Sequence, residues 1–225
     1  MDWINKFDLF LFDFDGLLVD TEGFHFEAYQ QLCAKYDCKL PWTLDQFFNI
    51  AHTSALGIRN EIERLFPQML DGTSWDVLYS EKKSIYQKLL QSGNLSLLPG
   101  VQPLLEKLAA ENKKRCVVTN STLPQIELIK SHIPVLQTIP YWFTRESYTN
   151  PKPAPDGYLK ALQELKRPQD RVIGFEDSLR GLKALEQAGV ENTVLICTPS
   201  HPQLVGFHQP QLLMVPSFIA LNEVL

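Results

Sequence analysis

The stretch "LFLFDFDGLLVDTE", residues 9–22, sets carboxylates within and directly after the most hydrophobic run of the N-terminal half. A run that is apolar at consecutive positions is typical of a strand buried on both faces of a parallel sheet. Asp13 and Asp15 stand two residues apart, so in an extended chain their side chains point the same way and face one small volume. At about 4 Å they would repel each other by about 4 kcal/mol at an effective dielectric constant of ~20. A shared proton, a basic group or a divalent cation is therefore expected beside them.

Four further runs of strand length follow along the chain and predict the fold class. They are "RCVVT" (115–119), "IPYWFT" (139–144), "RVIGF" (171–175) and "TVLIC" (193–197). Helical patterns lie between these runs, and the last of these patterns ends at Gly189, a residue type that commonly ends helices. This alternation predicts an α/β fold with a doubly wound, mainly parallel, Rossmann-like sheet.

Residues 21–97 interrupt this alternation with helical periodicity and no convincing strand. The sequence therefore predicts an α/β core formed by residues 1–20 and 98–225, with an inserted all-α cap formed by residues 21–97. The aromatic residues expected in the core of the cap are Trp42, Phe47, Phe48 and Trp75.

The composition excludes several classes of partner. The formal net charge is 21 − 26 = −5 and no block of like charge stands out, whereas a nucleic-acid-binding surface needs a concentrated basic patch. No apolar run approaches the roughly 20 residues that a membrane helix needs. The four cysteines form no CxxC pair, which indicates a reduced setting. We therefore expect a cytoplasmic protein, a monomer rather than an oligomer, without a nucleic-acid or membrane partner.

Polar residues follow the predicted strands at the positions where open parallel sheets bind ligands, the carboxyl ends of the strands. The residues that follow strands two to four are Thr119, Asn120, Ser121, Lys152, Glu176 and Asp177. Carboxylate oxygens suit Mg²⁺, while a lysine and neutral donors near a helix start suit a phosphoryl group. A carboxylate can also act as the nucleophile and form an aspartyl-phosphate.

Each of these residues also has a structural interpretation. Asp13 and Asp15 could cap the turn at the following glycine, and Lys152 could be a surface lysine between prolines. Asp177 could cap the helix that follows it, and Thr119 could simply end a strand. Only their arrangement in the folded chain distinguishes these alternatives.

The four segments, in this order, resemble the four motifs of the haloacid dehalogenase-like superfamily. They are "DFDGLLVDTE" (13–22), "VVTNS" (117–121), "KPAPD" (152–156) and "GFEDS" (174–178). The resemblance covers the whole length of the chain and implies a phosphoric monoester hydrolase that acts on a small phosphorylated metabolite.

By this resemblance, Asp13 is expected to be the nucleophile and Asp15 the general acid and base. Thr119 is expected to bind a phosphoryl oxygen with help from the backbone of Asn120. Lys152 is expected to neutralise both the nucleophile and the transferring group.

The same resemblance implies Mg²⁺ as the cofactor. Its expected ligands are the Asp13 side chain, the Asp15 backbone carbonyl and the Asp177 side chain. Glu176 is expected to be a further ligand or an outer partner of the metal site.

The inserted helices resemble the cap of the subgroup that contains β-phosphoglucomutase and phosphoglycolate phosphatase. "DTEGFHFEAYQ" (20–30) matches the usual opening of that cap, with Thr21 and His25 in characteristic positions. His25 is therefore either a residue that binds substrate phosphate or a packed histidine. Two departures are visible: Asn150 and Pro151 replace a usual glycine before Lys152, and residues 49–61 do not align with the glycine and arginine usual in the mutases.

The expected activity is thus a Mg²⁺-dependent phosphatase for a sugar phosphate or a short phosphorylated acid, working through an aspartyl-phosphate. A phosphomutase of the β-phosphoglucomutase type is one alternative. A catalytically idle ligand-binding or regulatory module with this fold is another.

Overall fold

The computed structural model describes residues 1–53 and 56–225 of the chain. By its internal contacts the chain divides into two compact units. One consists of Met1–Asp20 and Leu95–Leu225, and the other of Thr21–Asn94. We call them the sheet unit and the helical unit. The second boundary between the units lies three residues before the one expected from the sequence, at residue 94 instead of 97.

The described part of the sheet unit contains six strands in one sheet of order β3-β2-β1-β4-β5-β6, with every neighbouring pair parallel. The strands are β1 (Leu9–Phe12), β2 (Lys114–Val118), β3 (Tyr141–Phe143), β4 (Val172–Glu176), β5 (Asn192–Ile196) and β6 (Leu213–Val215). This confirms the doubly wound parallel sheet. The edge strand β6 is apolar at its three positions, of which only Val215 is buried, and it was not predicted because so short a run does not by itself indicate a strand.

Strand β1 lies at the centre of the sheet, between β2 and β4, and its four residues are all buried. The chain stays paired one residue beyond the strand, since the Asp13 N–H donates to the Phe175 carbonyl at 3.0 Å. It then turns at Gly16, whose φ of 76° lies in the region that favours glycine. Asp13 is thereby held at the carboxyl edge of the sheet.

Four helices connect the strands of the sheet unit: α5 (Val101–Ala110), α6 (Leu123–His132), α7 (Asp156–Leu165) and α8 (Leu179–Gln187). Thr122 and Gln125 form a capping box at the start of α6. Ser178 caps α8, where its side chain accepts from the Gly181 N–H at 3.1 Å. Past the end of α8, Gly189 has a φ of 80°, as expected for a glycine that ends a helix.

The helical unit contains α1 (Glu22–Lys35), α2 (Leu44–Thr53), α3 (Gly57–Leu65) and α4 (Trp75–Ser92). It has a hydrophobic cluster of its own, in which Phe47 is buried and Trp42, Phe48 and Trp75 pack partly buried around it, as predicted. The segment 49–61, which departs from the mutase pattern, includes Ser54 and Ala55, and these lie outside the described residues.

Short 3-10 turns complete the structure, at Asp2–Lys6, Pro67–Leu70, Pro134–Thr138, Arg145–Ser147, Pro202–Leu204 and Ala220–Glu223. None of the helices described here combines the length and the apolar character needed to cross a membrane. All four cysteines are buried free thiols.

Candidate active site

The carboxyl ends of β1, β2 and β4 bring the predicted residues to one edge of the sheet. Asp13 follows β1, Thr119 follows β2, and Glu176 ends β4 with Asp177 directly after it. All four residues are buried, although three of them, Asp13, Glu176 and Asp177, are acidic. Such burial of carboxylates requires compensating partners.

Lys152 supplies the positive charge at this edge. Its Nζ lies 2.5 Å from Asp13 Oδ1 and 2.6 Å from Glu176 Oε1, and the residue is only 5% exposed. Burial by itself would lower the pKa of the Lys152 ammonium, but the charges of Asp13 and Glu176 outweigh it and hold that pKa above its usual value. Lys152 is therefore not a surface lysine, and one cation serves two carboxylates.

Glu176 is a fully buried carboxyl with two donors on one oxygen. Its Oε1 accepts from Lys152 and from the Tyr158 hydroxyl, which lies 2.5 Å away. Burial raises the pKa of the Glu176 carboxyl to about 7, against the opposing charge of Lys152. Tyr158 was not predicted as part of the site, because in the sequence it is one more apolar position of α7.

The second oxygen of Glu176 faces Gly181 in the first turn of α8. Among the described residues, Glu176 Oε2 has no hydrogen-bond partner. A Cβ atom added at Gly181 would lie 1.9 Å from Oε2, far inside van der Waals contact. The absence of a side chain at Gly181 therefore makes room for this carboxylate.

Three carboxylates at this edge form a group that fits a hard divalent cation. Ligand oxygens of Asp13, Glu176 and Asp177 all lie within 4.8 Å of one another. Oxygens bound to one Mg²⁺ at about 2.1 Å lie at most about 4.2 Å apart, so small movements close the site. The unpartnered Glu176 Oε2 and the mutual repulsion of the carboxylates both agree with a bound cation. Ser178, rather than Asp177, caps α8.

Asp15 has partners different from those of Asp13. Its Oδ2 accepts from the Ser121 hydroxyl at 2.6 Å and from the Thr119 hydroxyl at 3.3 Å. The Thr119 hydroxyl oxygen also accepts from the Ser121 N–H at 3.0 Å. Because the chain leaves the sheet after Asp13, alternation along a strand does not govern the direction of the Asp15 side chain. Ser121 thus belongs to the site, although the sequence marked it only as a neutral donor.

Asn120 links the loop after β2 to the loop that carries Lys152. Its side-chain oxygen accepts from the Lys152 backbone N–H at 3.1 Å and from the Tyr148 hydroxyl at 3.0 Å. The same hydroxyl lies 2.6 Å from the Thr119 carbonyl. The structure therefore uses the Asn120 side chain to hold two loops together, and the expected help of its backbone in phosphate binding stays a prediction.

His25 lies in the helical unit, partly accessible and stacked on Tyr86 with ring centroids 4.0 Å apart. Its Nδ1 is 2.6 Å from the Nζ of Lys82, a buried lysine that the sequence did not single out. Loss of hydration, and then the Lys82 charge, hold the pKa of His25 well below its usual value. Within its unit His25 stacks on Tyr86 and contacts Lys82, and its role in phosphate binding stays a prediction.

Comparison with known proteins agrees with this geometry. A model of the haloacid dehalogenase-like hydrolase family matches residues 10–195. The (DL)-glycerol-3-phosphatase 2 of Arabidopsis thaliana is 30% identical over 200 residues, which cover 84% of this chain and 79% of that protein. The phosphorylated carbohydrates phosphatase of Thermotoga maritima is 28% identical over 193 residues, covering 80% and 81%.

Among solved structures, CbbY from Rhodobacter sphaeroides in complex with phosphate superposes with a TM-score of 0.76. The superposition covers 96% of each chain, and the two sequences are 23% identical. At this identity the similarity shows that the two proteins share a fold.

Proposed function

The chain belongs to the haloacid dehalogenase-like hydrolase family, and on that premise we propose that it is a phosphatase that releases phosphate from a small phosphomonoester. The observation that carries the proposal is the buried contact of Lys152 with Asp13 and Glu176, beside Asp177. An ammonium ion placed on an aspartate at a sheet edge is suited to phosphoryl transfer, which depends mainly on positioning and on stabilisation of charge.

In the first step, a carboxylate oxygen of Asp13 attacks the phosphorus atom and the bond from phosphorus to the ester oxygen breaks. Lys152 holds the other carboxylate oxygen and offsets the negative charge that the phosphoryl group brings. Asp15, protonated, gives its proton to the departing oxygen. The product is an alcohol and an aspartyl-phosphate on Asp13.

In the second step, a water molecule attacks the phosphorus and the bond to Asp13 breaks. Asp15, now a carboxylate, takes the proton of that water. Hydroxyl contacts from Ser121 and Thr119 hold Asp15 in the resting structure. Phosphate leaves and both aspartates return to their starting states.

Mg²⁺ is the proposed cofactor, held by the side chains of Asp13, Asp177 and Glu176 with the backbone carbonyl of Asp15. When bound, it supplies positive charge that stabilises the phosphoryl oxygens. Thr119 and the Asn120 backbone are proposed to bind the same oxygens by hydrogen bonds.

The proposed substrate is a phosphorylated sugar, polyol or short acid of the cytoplasm. One curated relative is named for glycerol 3-phosphate and another for phosphorylated carbohydrates. We assign the choice of substrate to the helical unit, residues 21–97 by the sequence, because the sheet unit supplies groups for the phosphoryl end alone. No nucleic-acid or membrane partner and no oligomer is required by this proposal.

The decisive experiment measures phosphate release from a panel of phosphorylated metabolites with and without Mg²⁺. Asp13→Asn is expected to lower kcat by more than about a thousandfold, as loss of a nucleophile does. Asp20→Asn, at an exposed aspartate of the same segment, is the matched control and is expected to retain activity. Equal rates for wild type and Asp13→Asn, or rates unchanged by chelation, would exclude the mechanism.

Two outcomes of the same panel separate the alternatives. Conversion of glucose 1-phosphate to glucose 6-phosphate without release of phosphate would identify a phosphomutase. Tight binding of an ester without turnover of any ester would identify an idle module.

A further inference from the structure

Gln203 is a buried side chain that joins two loops at the carboxyl edge of the sheet. It lies in the turn Pro202–Leu204 after β5 and is 7% exposed. Its Nε2 donates to the Asp177 carbonyl at 2.7 Å and lies 3.3 Å from Cys197 Sγ. Its Oε1 accepts from the Leu179 N–H at 3.0 Å.

The side-chain amide of Gln203 matches the backbone on both sides of Ser178. Asp177 presents a carbonyl and Leu179, two residues later, presents an N–H, so one amide satisfies both. Only one orientation of the amide makes both bonds, because its NH₂ group donates and its oxygen accepts. The Gln203 backbone is itself held, since its N–H donates to His201 Nδ1 at 3.3 Å.

We infer that Gln203 is a positioning residue that holds the Asp177 carboxylate in the acidic cluster. Only Asp177 and Ser178 separate β4 from α8, so the direction of the Asp177 side chain depends on the peptide groups of this short link. Gln203 binds the peptide group that follows Asp177 and the N–H at the start of α8. Both ends of the link are thereby fixed.

The hydrogen bonds of Gln203 matter because the carboxylates of the cluster repel one another. The carboxylates of Asp13, Glu176 and Asp177 lie within 4.8 Å of one another and repel. Asp13 is held by its strand and by Lys152, and Glu176 by Lys152 and its packing. When Gln203 holds the backbone around Asp177, the Asp177 carboxylate stays beside those of Asp13 and Glu176, in an arrangement suited to a cation.

This inference rests on the proposed function, and its test measures metal binding in the absence of substrate. Mn²⁺ is titrated into the full-length protein, and free Mn²⁺ is measured by electron paramagnetic resonance. Gln203→Met keeps the length of the side chain and removes both backbone hydrogen bonds. We expect its Mn²⁺ dissociation constant to rise by about tenfold or more, the range seen when outer partners of metal ligands are lost.

In kinetic measurements, loss of Gln203 is expected to change the Mg²⁺ requirement much more than kcat. In Gln203→Met, the Mg²⁺ concentration for half-maximal phosphate release rises by a factor similar to that for Mn²⁺. At saturating Mg²⁺, kcat falls by less than about threefold, because the bound cation restores the position of Asp177. Gln203→Asn, one methylene shorter, cannot span both backbone groups and is expected to behave in the same way.

Two controls separate positioning from general stability. Gln209→Met alters an exposed glutamine that bonds to Glu186 and is expected to bind Mn²⁺ as wild type does. Val190→Ala trims a buried residue of the sheet-unit core and is expected to lower the Tm without changing Mn²⁺ affinity.

Unchanged Mn²⁺ affinity in both Gln203 variants would overturn the inference. So would loss of Mn²⁺ affinity in Val190→Ala equal to that in Gln203→Met, or failure of both Gln203 variants to fold. A wild-type protein whose Mn²⁺ affinity depends on Gln203 but which hydrolyses no ester would overturn the proposed function and leave this inference standing.

Discussion

At the scale of single residues, Glu176 shows how an acid is kept in a fully buried place. Lys152 and Tyr158 both donate to its Oε1, while its Oε2 faces the space left by Gly181. One oxygen of the carboxylate therefore has two donors, and the other lies against Gly181 without a hydrogen-bond partner among the described residues. Each of these neighbours can be tested separately.

Gly181→Ala is expected to impair the site because its Cβ would lie 1.9 Å from Glu176 Oε2. We expect a loss of about 1–3 kcal/mol in the free energy of unfolding, typical of overpacking, and at least a tenfold lower kcat. Thermal denaturation and steady-state kinetics measure the two effects.

Gly189→Ala is the matched control for this prediction. Gly189 has a φ of 80° and nothing within 4 Å of an added Cβ, so alanine there costs about 1–2 kcal/mol of backbone strain and leaves the carboxylate in place. Normal kcat in Gly181→Ala, or an equal loss of kcat in both variants, would contradict the assigned role.

The pH dependence of metal binding is a second prediction at this scale. The pKa of the Glu176 carboxyl is raised to about 7, and a carboxyl must lose its proton to bind a metal. The Mg²⁺ concentration for half-maximal activity is therefore expected to rise by about tenfold for each pH unit below 7. Phosphate release measured over Mg²⁺ titrations between about pH 5 and 8 tests this directly.

Tyr158→Phe is expected to move this dependence to higher pH. The tyrosine hydroxyl donates to Glu176 Oε1 and favours the charged carboxylate, so its removal raises the pKa of Glu176 further. Superimposable pH curves for Tyr158→Phe and wild type would show that this hydrogen bond does not tune Glu176.

At the scale of elements, two loops are joined so that their functional groups keep a fixed spacing. The loop after β2 carries Thr119 and Asn120, and the loop between β3 and α7 carries Tyr148 and Lys152. Three hydrogen bonds join these loops: Tyr148 to Thr119, Tyr148 to Asn120, and the Lys152 N–H to Asn120. These hydrogen bonds therefore connect the proposed phosphate donors to the segment that carries Lys152.

Tyr148→Phe removes two of these three contacts. We expect a loss of about 1 kcal/mol in the free energy of unfolding and a severalfold lower kcat/KM, measured by chemical denaturation and kinetics. Tyr141→Phe, at an exposed residue of the edge strand β3, is the control and should match wild type. A kcat/KM in Tyr148→Phe as high as that of Tyr141→Phe would mean that the loops keep their spacing without this hydroxyl.

At the scale of the whole molecule, the chain consists of two units with separate hydrophobic clusters. The cluster of the sheet unit includes Leu11, Cys116 and Tyr158, whereas that of the helical unit includes Leu32 and Ile62. The chain leaves and re-enters the sheet unit at neighbouring points, since the Asp20 N–H donates to the Ser96 carbonyl at 3.0 Å. The sheet unit can thus be closed without its insertion.

A variant in which Asn-Gly joins Asp20 to Ser96, with residues 21–95 removed, is expected to fold. Asn-Gly suits a two-residue turn between paired chains, and the sheet unit keeps its own core. We expect retained Mn²⁺ binding, activity on p-nitrophenyl phosphate within about tenfold of wild type, and loss of preference among metabolite esters, because the helical unit is proposed to choose the substrate. The absence of a cooperative unfolding transition, or an unchanged order of preferred esters, would contradict this prediction.

The amino-acid sequence alone predicts the sheet, its carboxyl edge and the family. Consecutive apolar residues are typical of strands in a parallel sheet, so β1 to β5 each contain a visible apolar run, and the polar residues that directly follow these runs mark the carboxyl edge. The meeting of Asp13, Lys152 and Asp177 at this edge, and the family itself, agree with expectations from four short motifs. The strand β6 is apolar as well, but its three residues are too short a run to indicate a strand by itself.

The partners that tune the site come from residues distant in sequence, and no local pattern marks them. Tyr158 lies 18 residues before Glu176, Gln203 lies 26 residues after Asp177, and Tyr148 lies 28 residues after Asn120. In the sequence a tyrosine on an apolar helix face or a glutamine in a loop is unremarkable. Local periodicity and motif order are properties of neighbouring residues, whereas the hydrogen bonds that orient a buried carboxylate exist only after the sheet has brought separate loops to one edge.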